Sequence, residues 1–506
     1  MNLLNIKTPW VWAGVCAAVV ALQACGGAGE PMVQNDNPGG VASYAGVTSS
    51  YMGPISGLGS IVVNGVRFET TSAKVHDSDD VYGSQEYLDP LAMGMTVALE
   101  GNADDAQALG RASRIRLVGG VRGTVSAVSD SQMVVGGQVV ALNGNTVLAV
   151  SSTQAAAVSV QVGDFVNVYG LMQADQSFLA TRVVRTRATA FNLDAAWRGQ
   201  SADAVQSGSG WAMTLRTGSD AAFEVSCPVN TCSVQPAGAD LRGAHALRVL
   251  ATDDAQRTGN RIVASRIQVL DVPNLLQWEG ATVAQTKIKG VAATDGVLWT
   301  VGGVPVLFSG TPVPWVAGQF YEVKGSLTNG QLTVTRWEQE GRESDRVVTS
   351  GSSLGSITYF RHELYGAVSD LQGTRMTVQG TPVELSQARF ANGSLAALSQ
   401  GAYVEVKGGL VQGVLVASQI EIKSARTDGM GTRFEVYGTL SDWSASGFTL
   451  TSGSTVYHGV LTAQTRIDSA HGQPGNGQWV EVKGYMSGGQ FVAVKLEVKR
   501  AGGHDD

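Results

Sequence analysis

The sequence predicts an all-β protein made of about six tandem small five-stranded barrels of the OB-like Greek-key type. The chain has 506 residues, more than one ordinary hydrophobic core accommodates. Its 64 Gly and 15% charged residues are typical of a soluble, turn-rich β protein. One ten-residue stretch recurs along the chain, and short alternating apolar runs broken by turn residues precede each copy. These observations together indicate repeated β units.

The recurring stretch is written three times with little change. It reads GAYVEVKGGL at 401–410, GQFYEVKGSL at 318–327 and GQWVEVKGYM at 477–486. More distant copies begin at three further glycines, Gly94, Gly163 and Gly243. The copies lie about one small domain apart at irregular spacing, which indicates equivalent units with loops of different length.

The residue types of this stretch predict a barrel strand. Alternate residues of a strand point to opposite faces, so Val404 and Val406 share one face and Tyr403 lies on the other. We expect the valines to line the core. Gly408 ends the run, where a bulge or a barrel corner leaves no room for a side chain.

Each copy occupies the fourth strand position of its unit. Three meandering strands with hairpin turns precede it, as in LYGAVSDLQGTRMTVQGTPVEL at 364–385. An irregular or short helical connection such as Gln387 to Leu398 comes next, and VASQIEIK at 416–423 is a typical last strand. Five short strands with this connection between the third and the fourth are what a small OB-like barrel requires.

The predicted organisation divides the whole chain at the turn-rich boundaries. It comprises a signal peptide (1–24), a flexible Gly-rich tether (25–52), repeat 1 (53–119), repeat 2 (120–187), repeat 3 with a disulfide loop (188–271), repeat 4 (272–346), a linker (347–360), repeat 5 (361–423), repeat 6 (424–500) and a tail (501–506).

The N-terminal segment predicts export and lipidation. One cation, Lys7, precedes an apolar run that ends in small residues, the pattern of a secretory signal peptide. The end of this run, Leu22 to Cys25, resembles the bacterial lipobox, which implies a mature chain that begins at Cys25 with acyl chains such as palmitate. An ordinary signal peptide is the alternative. Several acyl chains anchor a protein firmly. By analogy, the lack of Asp after the cysteine implies the outer membrane. The sequence does not determine which face of that membrane the protein occupies.

Two further cysteines, Cys227 and Cys232 in CPVNTC, predict a disulfide that closes a short loop. Exported proteins meet an oxidising environment, in which such a close pair is oxidised. A metal site would need further ligands, and the sequence offers no second cysteine pair and no His-x-x-His nearby.

The repeats resemble a bacterial family known as domain of unknown function 5666. The residues that carry the resemblance are the opening Gly-x-[Val/Leu], the V-N-G-V of repeat 1, the Leu-x-x-Gly approach and the V-x-V-x-G of the strand: Gly123, Gly366, Gly438, Val63 to Val66, Leu398 to Gly401, Val404, Val406 and Gly408. The resemblance covers most of the chain after the tether. It implies a fold and no activity.

Four aromatic residues on the non-core face of the repeated strand are the candidate ligand contacts: Phe165, Phe320, Tyr403 and Trp479. They would either stack on sugars or be covered where one barrel docks on the next, and we favour docking. The Glu and Lys residues beside them, such as Glu405 and Lys407, predict a solvated surface of weak pairs.

The sequence predicts neither a catalytic constellation nor a metal site nor a cofactor. The G-x-S-x-G match at 351–355, with Ser353, lies in a linker without the helix of a nucleophile elbow. The acidic run 76–80 lacks the spacing of a calcium loop, and we expect it to be a solvated loop. The six His are dispersed, and no phosphate-binding loop is followed by a helix.

The leading functional hypothesis is a non-enzymatic outer-membrane lipoprotein that acts as a scaffold or binding array in the bacterial envelope. The alternatives are carbohydrate or peptidoglycan binding through the aromatic positions and, less favoured, an envelope hydrolase. The expected partners are the membrane, through the lipid, and an envelope protein or glycan. The net charge of -7 and the scattered basic residues disfavour nucleic acid. The sequence leaves the oligomeric state open.

Overall fold

The structure is a computed structural model, and its description covers most of the chain after residue 46. The described residues are 47–70, 72–87, 89–104, 108–149, 159–173, 175–186, 194–218, 221–252, 257–279, 282–294, 296–308, 315–339, 362–411, 413–423, 434–452, 455–463, 465–468, 472–487 and 490–499. They all belong to one compact unit, Tyr44–Asp506. In these residues, no helix is long and apolar enough to cross a membrane. The predicted signal peptide, Cys25, the linker 347–360 and the tail 501–506 lie outside the described residues.

Repeat 1 forms a closed barrel with the predicted strand order. Its elements are β1 (Val47–Leu58), β2 (Ile61–Val63), β3 (Val66–Glu69), β4 (Lys74–His76), a 3₁₀ turn (Ser78–Asp80), β5 (Thr96–Asp104) and β6 (Leu109–Leu117). Strands β1, β2 and β3 form an antiparallel meander, β3 pairs with β6 in parallel, and β5 joins β6 to β1. The connection between β3 and β5 adds the short β4, which also pairs with β6.

Repeat 2 repeats this ring. Its strands are β7 (Arg122–Val128), β8 (Gln132–Val135), β9 (Gln138–Ala141), β10 (Val147–Ala149), β11 (Phe165–Met172) and β12 (Phe178–Thr186). The meander β7 to β9 closes through a parallel β9–β12 pair and antiparallel β12–β11 and β11–β7 pairs.

Repeat 3 departs most from the pattern. Its strands are β13 (Ala195–Ser201), β14 (Val205–Ser207), β15 (Gly210–Arg216), β16 (Ala222–Pro228), β17 (Ser233–Gln235), β18 (His245–Ala251), β19 (Arg257–Thr258), β20 (Arg261–Val263) and β21 (Arg266–Val269). Only one residue pair joins β13 to β15, and the last strand is broken into β20 and β21. The structure therefore shows several closed five-stranded barrels, and the number of about six stays a prediction.

Repeats 4 to 6 return to the ring of repeat 1. A five-residue helix, α1 (Val272–Leu276), opens repeat 4, and a 3₁₀ turn (Leu395–Ala397) lies in repeat 5. Their strands are β22 (Gln285–Thr294), β23 (Trp299–Val301), β24 (Val304–Phe308), β25 (Phe320–Thr328), β26 (Gln331–Gln339), β27 (His362–Gln372), β28 (Arg375–Val378), β29 (Thr381–Glu384), β30 (Arg389–Phe390), β31 (Tyr403–Val411), β32 (Val414–Ile422), β33 (Phe434–Ser441), β34 (Gly447–Ser452), β35 (Thr455–Val460), β36 (Arg466–Asp468), β37 (Trp479–Ser487) and β38 (Gln490–Val498). The all-β, OB-like prediction is confirmed.

The recurring stretch forms the predicted core strand. Val404 and Val406 are completely buried in the core of repeat 5. The pairing register shifts between Lys407 and Gly408, which places a bulge at the glycine. A Cβ atom on Gly408 would lie 2.1 Å from the Val416 carbonyl oxygen, so only glycine fits there. The same register shift occurs at Gly101, Gly170, Gly325 and Gly484.

The barrels are joined to one another by backbone pairing. Strand β1 pairs in parallel with β22 through residues 49–52 and with β27 through residues 57–58. A single pair, Ala196 with Arg122, joins β13 to β7. Strand β1 begins at Val47, inside the segment 25–52 that the sequence assigns to the tether. These residues are ordered as a strand because β5 and β22 supply hydrogen-bond partners on both sides.

Candidate functional site

None of the four aromatic candidates is fully exposed. Phe165, Phe320 and Trp479 are half-buried, whereas Tyr403 is only 7% exposed. Tyr403 belongs to the hydrophobic cluster of repeat 6, and its hydroxyl oxygen lies 3.5 Å from Arg67 Nη2 of repeat 1. Tyr403 therefore packs where three repeats meet. A role of these rings in ligand contact stays a prediction.

The predicted disulfide is present. Cys227 and Cys232 are bonded, with their Cα atoms 5.1 Å apart. Cys227 is buried in the core of repeat 3, and Cys232 packs against that core. The bond closes the short loop after β16, so its place in the fold is structural.

The Lys residues of the repeated strand differ in exposure between repeats, whereas the Glu405 and Glu481 side chains are both less than 10% exposed, so the expectation of a solvated surface is wrong for Glu405. In repeat 5, Lys407 lies 2.7 Å from Glu405, and 24% of the Lys407 side chain is exposed. In repeat 6, the corresponding Lys483 and Glu481 are less than 10% exposed. Lys483 Nζ donates a hydrogen bond to Thr70 Oγ1 of repeat 1 at 2.9 Å. The expectation of a solvated surface is wrong for repeat 6, because repeat 1 covers this face.

The acidic run 76–80 is a contact between repeats. Asp77 is the N-cap of the 3₁₀ turn. Its side-chain Oδ1 accepts a hydrogen bond from the Asp79 backbone N–H at 2.8 Å. Arg122 Nη2 of repeat 2 and Arg248 Nη1 of repeat 3 each donate to the Asp79 carboxylate at 2.8 Å. The expectation of a solvated loop is wrong, because buried arginines of two other repeats hold this turn. We call Asp79, Arg122 and Arg248 the Asp79 clamp.

Neighbouring polar groups complete the clamp. Arg248 Nη1 and Gln268 Nε2 donate to the Ser78 carbonyl oxygen at 2.9 and 3.2 Å, and Arg266 donates to the Asp79 carbonyl oxygen. Gln235 Nε2 donates to Asp80 Oδ1 at 3.0 Å. Repeat 3 thereby satisfies the polar groups of a turn that belongs to repeat 1.

The clamp shifts the pKa values of two nearby carboxyls in opposite directions. Burial by itself would raise the pKa of Asp79, but the charges of Arg248 and Arg122 and their hydrogen bonds outweigh it and hold this pKa well below its ordinary value. Burial raises the pKa of Asp77, which has no arginine bonded to it. At neutral pH Asp79 is therefore a stable counter-charge for the two arginines.

A second arginine site lies beside the clamp on the outer face of repeat 3. Arg198 stands directly opposite Arg248 in the β13–β18 ladder and is 5% exposed. The side-chain amide of Gln138 in repeat 2 bonds both the backbone N–H and the carbonyl oxygen of Arg198, at 3.0 and 2.7 Å. The Gln138 side chain thus makes the two backbone hydrogen bonds that a neighbouring strand would make, and it holds the Arg198 backbone in place.

Arg198 lines a cleft of about 170 Å³ where repeats 1 to 4 meet. The apolar wall includes Met52, Leu171, Met172 and Ile288, and the polar wall includes Arg198, Gln200, His245, Asp271 and Lys289. His245 Nδ1 lies 2.7 Å from Asp271 Oδ2, and the Ala246 backbone N–H donates to Asp271 Oδ1 at 2.7 Å. Both carboxylate oxygens of Asp271 are therefore occupied.

The electrostatics of this cleft centre on Arg198. Burial, followed by the charge of Arg248, lowers the pKa of Arg198 to about 10, so the guanidinium is charged at neutral pH. In the part of the chain that the structure describes, no group of three or more His, Cys, Asp and Glu is arranged to hold a metal ion. Arg198 and the apolar side chains of the lining offer charge and apolar contact to a molecule in the cleft.

The sequence did not reveal the clamp or the cleft. Their arginines are far from their partners in the chain: Arg122 is 43 residues and Arg248 is 169 residues from Asp79. The available signal was that the residue before the opening glycine is long and polar or aromatic in several repeats, as Arg122, Arg198 and Tyr365 are. That signal names no partner.

Comparisons with known proteins match three regions of the chain to one protein family. Residues 122–184, 365–421 and 437–497 match the family model described as Domain of unknown function (DUF5666). The predicted resemblance is confirmed in these three regions, which fall in repeats 2, 5 and 6. No curated protein matches the chain.

Among solved structures, the chain is similar to drosophila Unr CSD456. The sequences are 12% identical over 37% of this chain and 79% of that chain, with a TM-score of 0.13. At this TM-score the similarity supports no conclusion about the fold or the function of the chain.

Proposed function

We propose that the chain is a non-enzymatic scaffold of the bacterial cell envelope, anchored to the outer membrane by lipid on Cys25. One observation carries the scaffold role: β1, the first described strand, pairs with β5 of its own barrel and with β22 and β27 of two others. Backbone ladders between barrels fix their positions, since each ladder hydrogen bond constrains both partners. A chain of barrels on flexible linkers would lack such pairs.

Further contacts support a fixed arrangement. The Asp79 clamp joins repeat 1 to repeats 2 and 3. Lys483 joins repeat 6 to repeat 1. Repeat 1 is thus the centre on which the other repeats pack, and it follows the tether in the chain. Anchoring this end would place the central barrel next to the membrane.

The anchor is tested by fractionation of cells that express the full chain. Wild type is expected in the outer-membrane fraction and labelled by radioactive palmitate. Cys25→Ser is expected to lose the label and leave the membrane, whereas Cys16→Ser, within the predicted signal peptide, keeps both. Membrane retention of unlabelled Cys25→Ser would refute the lipid anchor.

The scaffold role is tested by small-angle scattering of the released Cys25→Ser protein. A compact chain of this length has a radius of gyration of about 23 Å. If the barrels are fixed, the measured radius of gyration should be close to that of a compact chain and should not change with the salt concentration. A much larger value that varies with salt would show independently moving barrels and refute a fixed scaffold.

Carbohydrate or peptidoglycan binding is the second candidate. The observation that favours it is that Phe165, Phe320 and Trp479 keep part of their surface exposed at equivalent strand positions. Sedimentation with purified peptidoglycan tests it. Binding that is lost in Trp479→Ala and kept in Tyr403→Phe would support this candidate over a pure scaffold.

A further inference from the structure

We propose that the cleft where repeats 1 to 4 meet binds a small organic anion, a carboxylate with a short apolar chain, on Arg198. This inference goes beyond the scaffold role, because a scaffold needs no such ligand. It depends on three features of the cleft: a buried charge with no bonded carboxylate, apolar side chains in the same lining and a volume that fits one small molecule.

No carboxylate of the described residues is bonded to the Arg198 guanidinium, and the charge of Asp271 acts on it only from a distance. Its guanidinium donates one hydrogen bond, from Nη1 to the Leu247 carbonyl oxygen at 3.1 Å. Asp271 is the nearby acid, but its two oxygens are bonded to His245 and to the Ala246 backbone N–H. Arg198 also faces the like charge of Arg248 across the ladder. A buried charge without a partner costs several kcal/mol, which a bound anion would offset.

The position of Arg198 makes it available to a ligand. It lies on the same face of β13 as Gln200, and both line the cleft. The guanidinium keeps donors that no described residue accepts, and its planar fork matches a carboxylate.

The rest of the cleft selects a molecule with an apolar part. Met52, Leu171, Met172 and Ile288 come from repeats 1, 2 and 4 and line the cleft together with Arg198. The volume of about 170 Å³ is close to that of a cavity of about 150 Å³, which holds one benzene molecule. About six non-hydrogen atoms therefore fit, as in a four-carbon carboxylate.

The experiment uses butyrate as the probe, titrated into the mature protein by calorimetry at constant ionic strength. We expect saturable binding with one site. Arg198→Met is expected to weaken it about tenfold or more, because a hydrogen bond to a charged group is lost. Arg261→Met is the matched control: Arg261 lies in the same repeat, pairs with Glu224 and is 76% exposed, so butyrate binding should not change.

Two additional measurements separate the outcomes. Gln200→Trp narrows the cleft without removing a charge and should also abolish butyrate binding. This variant tests the site if Arg198→Met fails to fold. Butylamine, a cation of similar shape, should not bind. Absence of saturable butyrate binding, equal binding by Arg198→Met and wild type, or binding of inorganic phosphate in preference to butyrate would overturn the proposal.

Discussion

The connection between the third and fourth strands of the barrel has different roles in repeats 1 and 5. In both repeats a short strand pairs in parallel with the last strand, and a 3₁₀ turn follows. In repeat 5 the turn Leu395–Ala397 is exposed along its length. In repeat 1 the turn Ser78–Asp80 is held by arginines from two other repeats. The connection between the third and fourth strands is thus an exposed loop in repeat 5 and a contact between barrels in repeat 1.

This difference teaches where a tandem protein can change without losing its fold. The barrel closes through its five main strands, and these are alike in repeats 1 and 5. The connection lies outside that ring, so its side chains are free to specialise. The family model matches residues 365–421, which include the exposed turn, and does not match repeat 1.

The largest effect is expected for Asp79→Asn. It removes the counter-charge of Arg122 and Arg248, which are 3% and 0% exposed. Breaking a buried ion pair on one side costs about 3 kcal/mol or more, and urea denaturation followed by tryptophan fluorescence measures the loss. Asp77→Asn is the matched control two residues away. Burial raises the pKa of Asp77, so a neutral amide there should leave the stability unchanged or slightly higher. Equal losses in both variants would show that charge pairing is not what holds the turn.

Acid should weaken the same contact in the wild type. The pKa of Asp79 is lower in the folded state than its ordinary value of 3.8, so its contribution is complete above that value and declines as the pH falls below it. We expect the wild type to lose stability faster than Asp79→Asn between about pH 5 and pH 2. Parallel stability curves for the two proteins would contradict the clamp.

A smaller effect is expected where repeat 1 meets repeat 5. A Cβ atom on Gly57 would lie 2.1 Å from the Glu363 carbonyl oxygen, at the β1–β27 pair. Gly57→Ala should therefore cost about 1–3 kcal/mol and speed hydrogen exchange in β27. Gly208→Ala is the control, since nothing lies within 4 Å of a Cβ there. Unchanged exchange in β27 of Gly57→Ala would show that this ladder does not hold the two barrels together.

The smallest effect is expected for Leu395→Asn in the exposed turn of repeat 5. Leu395 is 38% exposed, and the turn makes no ion pair among the described residues. The free energy of unfolding should change by no more than about 0.5 kcal/mol. A loss as large as that of Asp79→Asn would mean that this turn also supports a contact.

Much of each barrel could be predicted because its determinants are local. Val404, Val406 and Gly408 show the strand, its core face and its bulge, and the structure confirms each of them. Cys227 and Cys232 are five positions apart, so their bond was also predictable. The short strand β4 was missed because three residues give no clear alternation.

The exposed or covered state of an outer face could not be predicted. Tyr403 and Trp479 occupy equivalent positions, yet repeat 1 and repeat 6 both contact Tyr403, while Trp479 stays half-buried. The strand pattern is the same in both cases. Burial of an outward side chain depends on which other barrel lies against it, and no pattern within the repeat records that.

The sequence by itself determined the class of the protein, the strand order of its regular units and the bulge at the glycine of the recurring strand, because alternation and glycine act within a few residues. Only the tertiary structure decided that β1 pairs with strands of two other barrels, that Asp79 meets Arg122 and Arg248, and that Arg198 lines a cleft between repeats. These contacts join residues far apart in the chain, and each is selected by the shape and charge of two surfaces together.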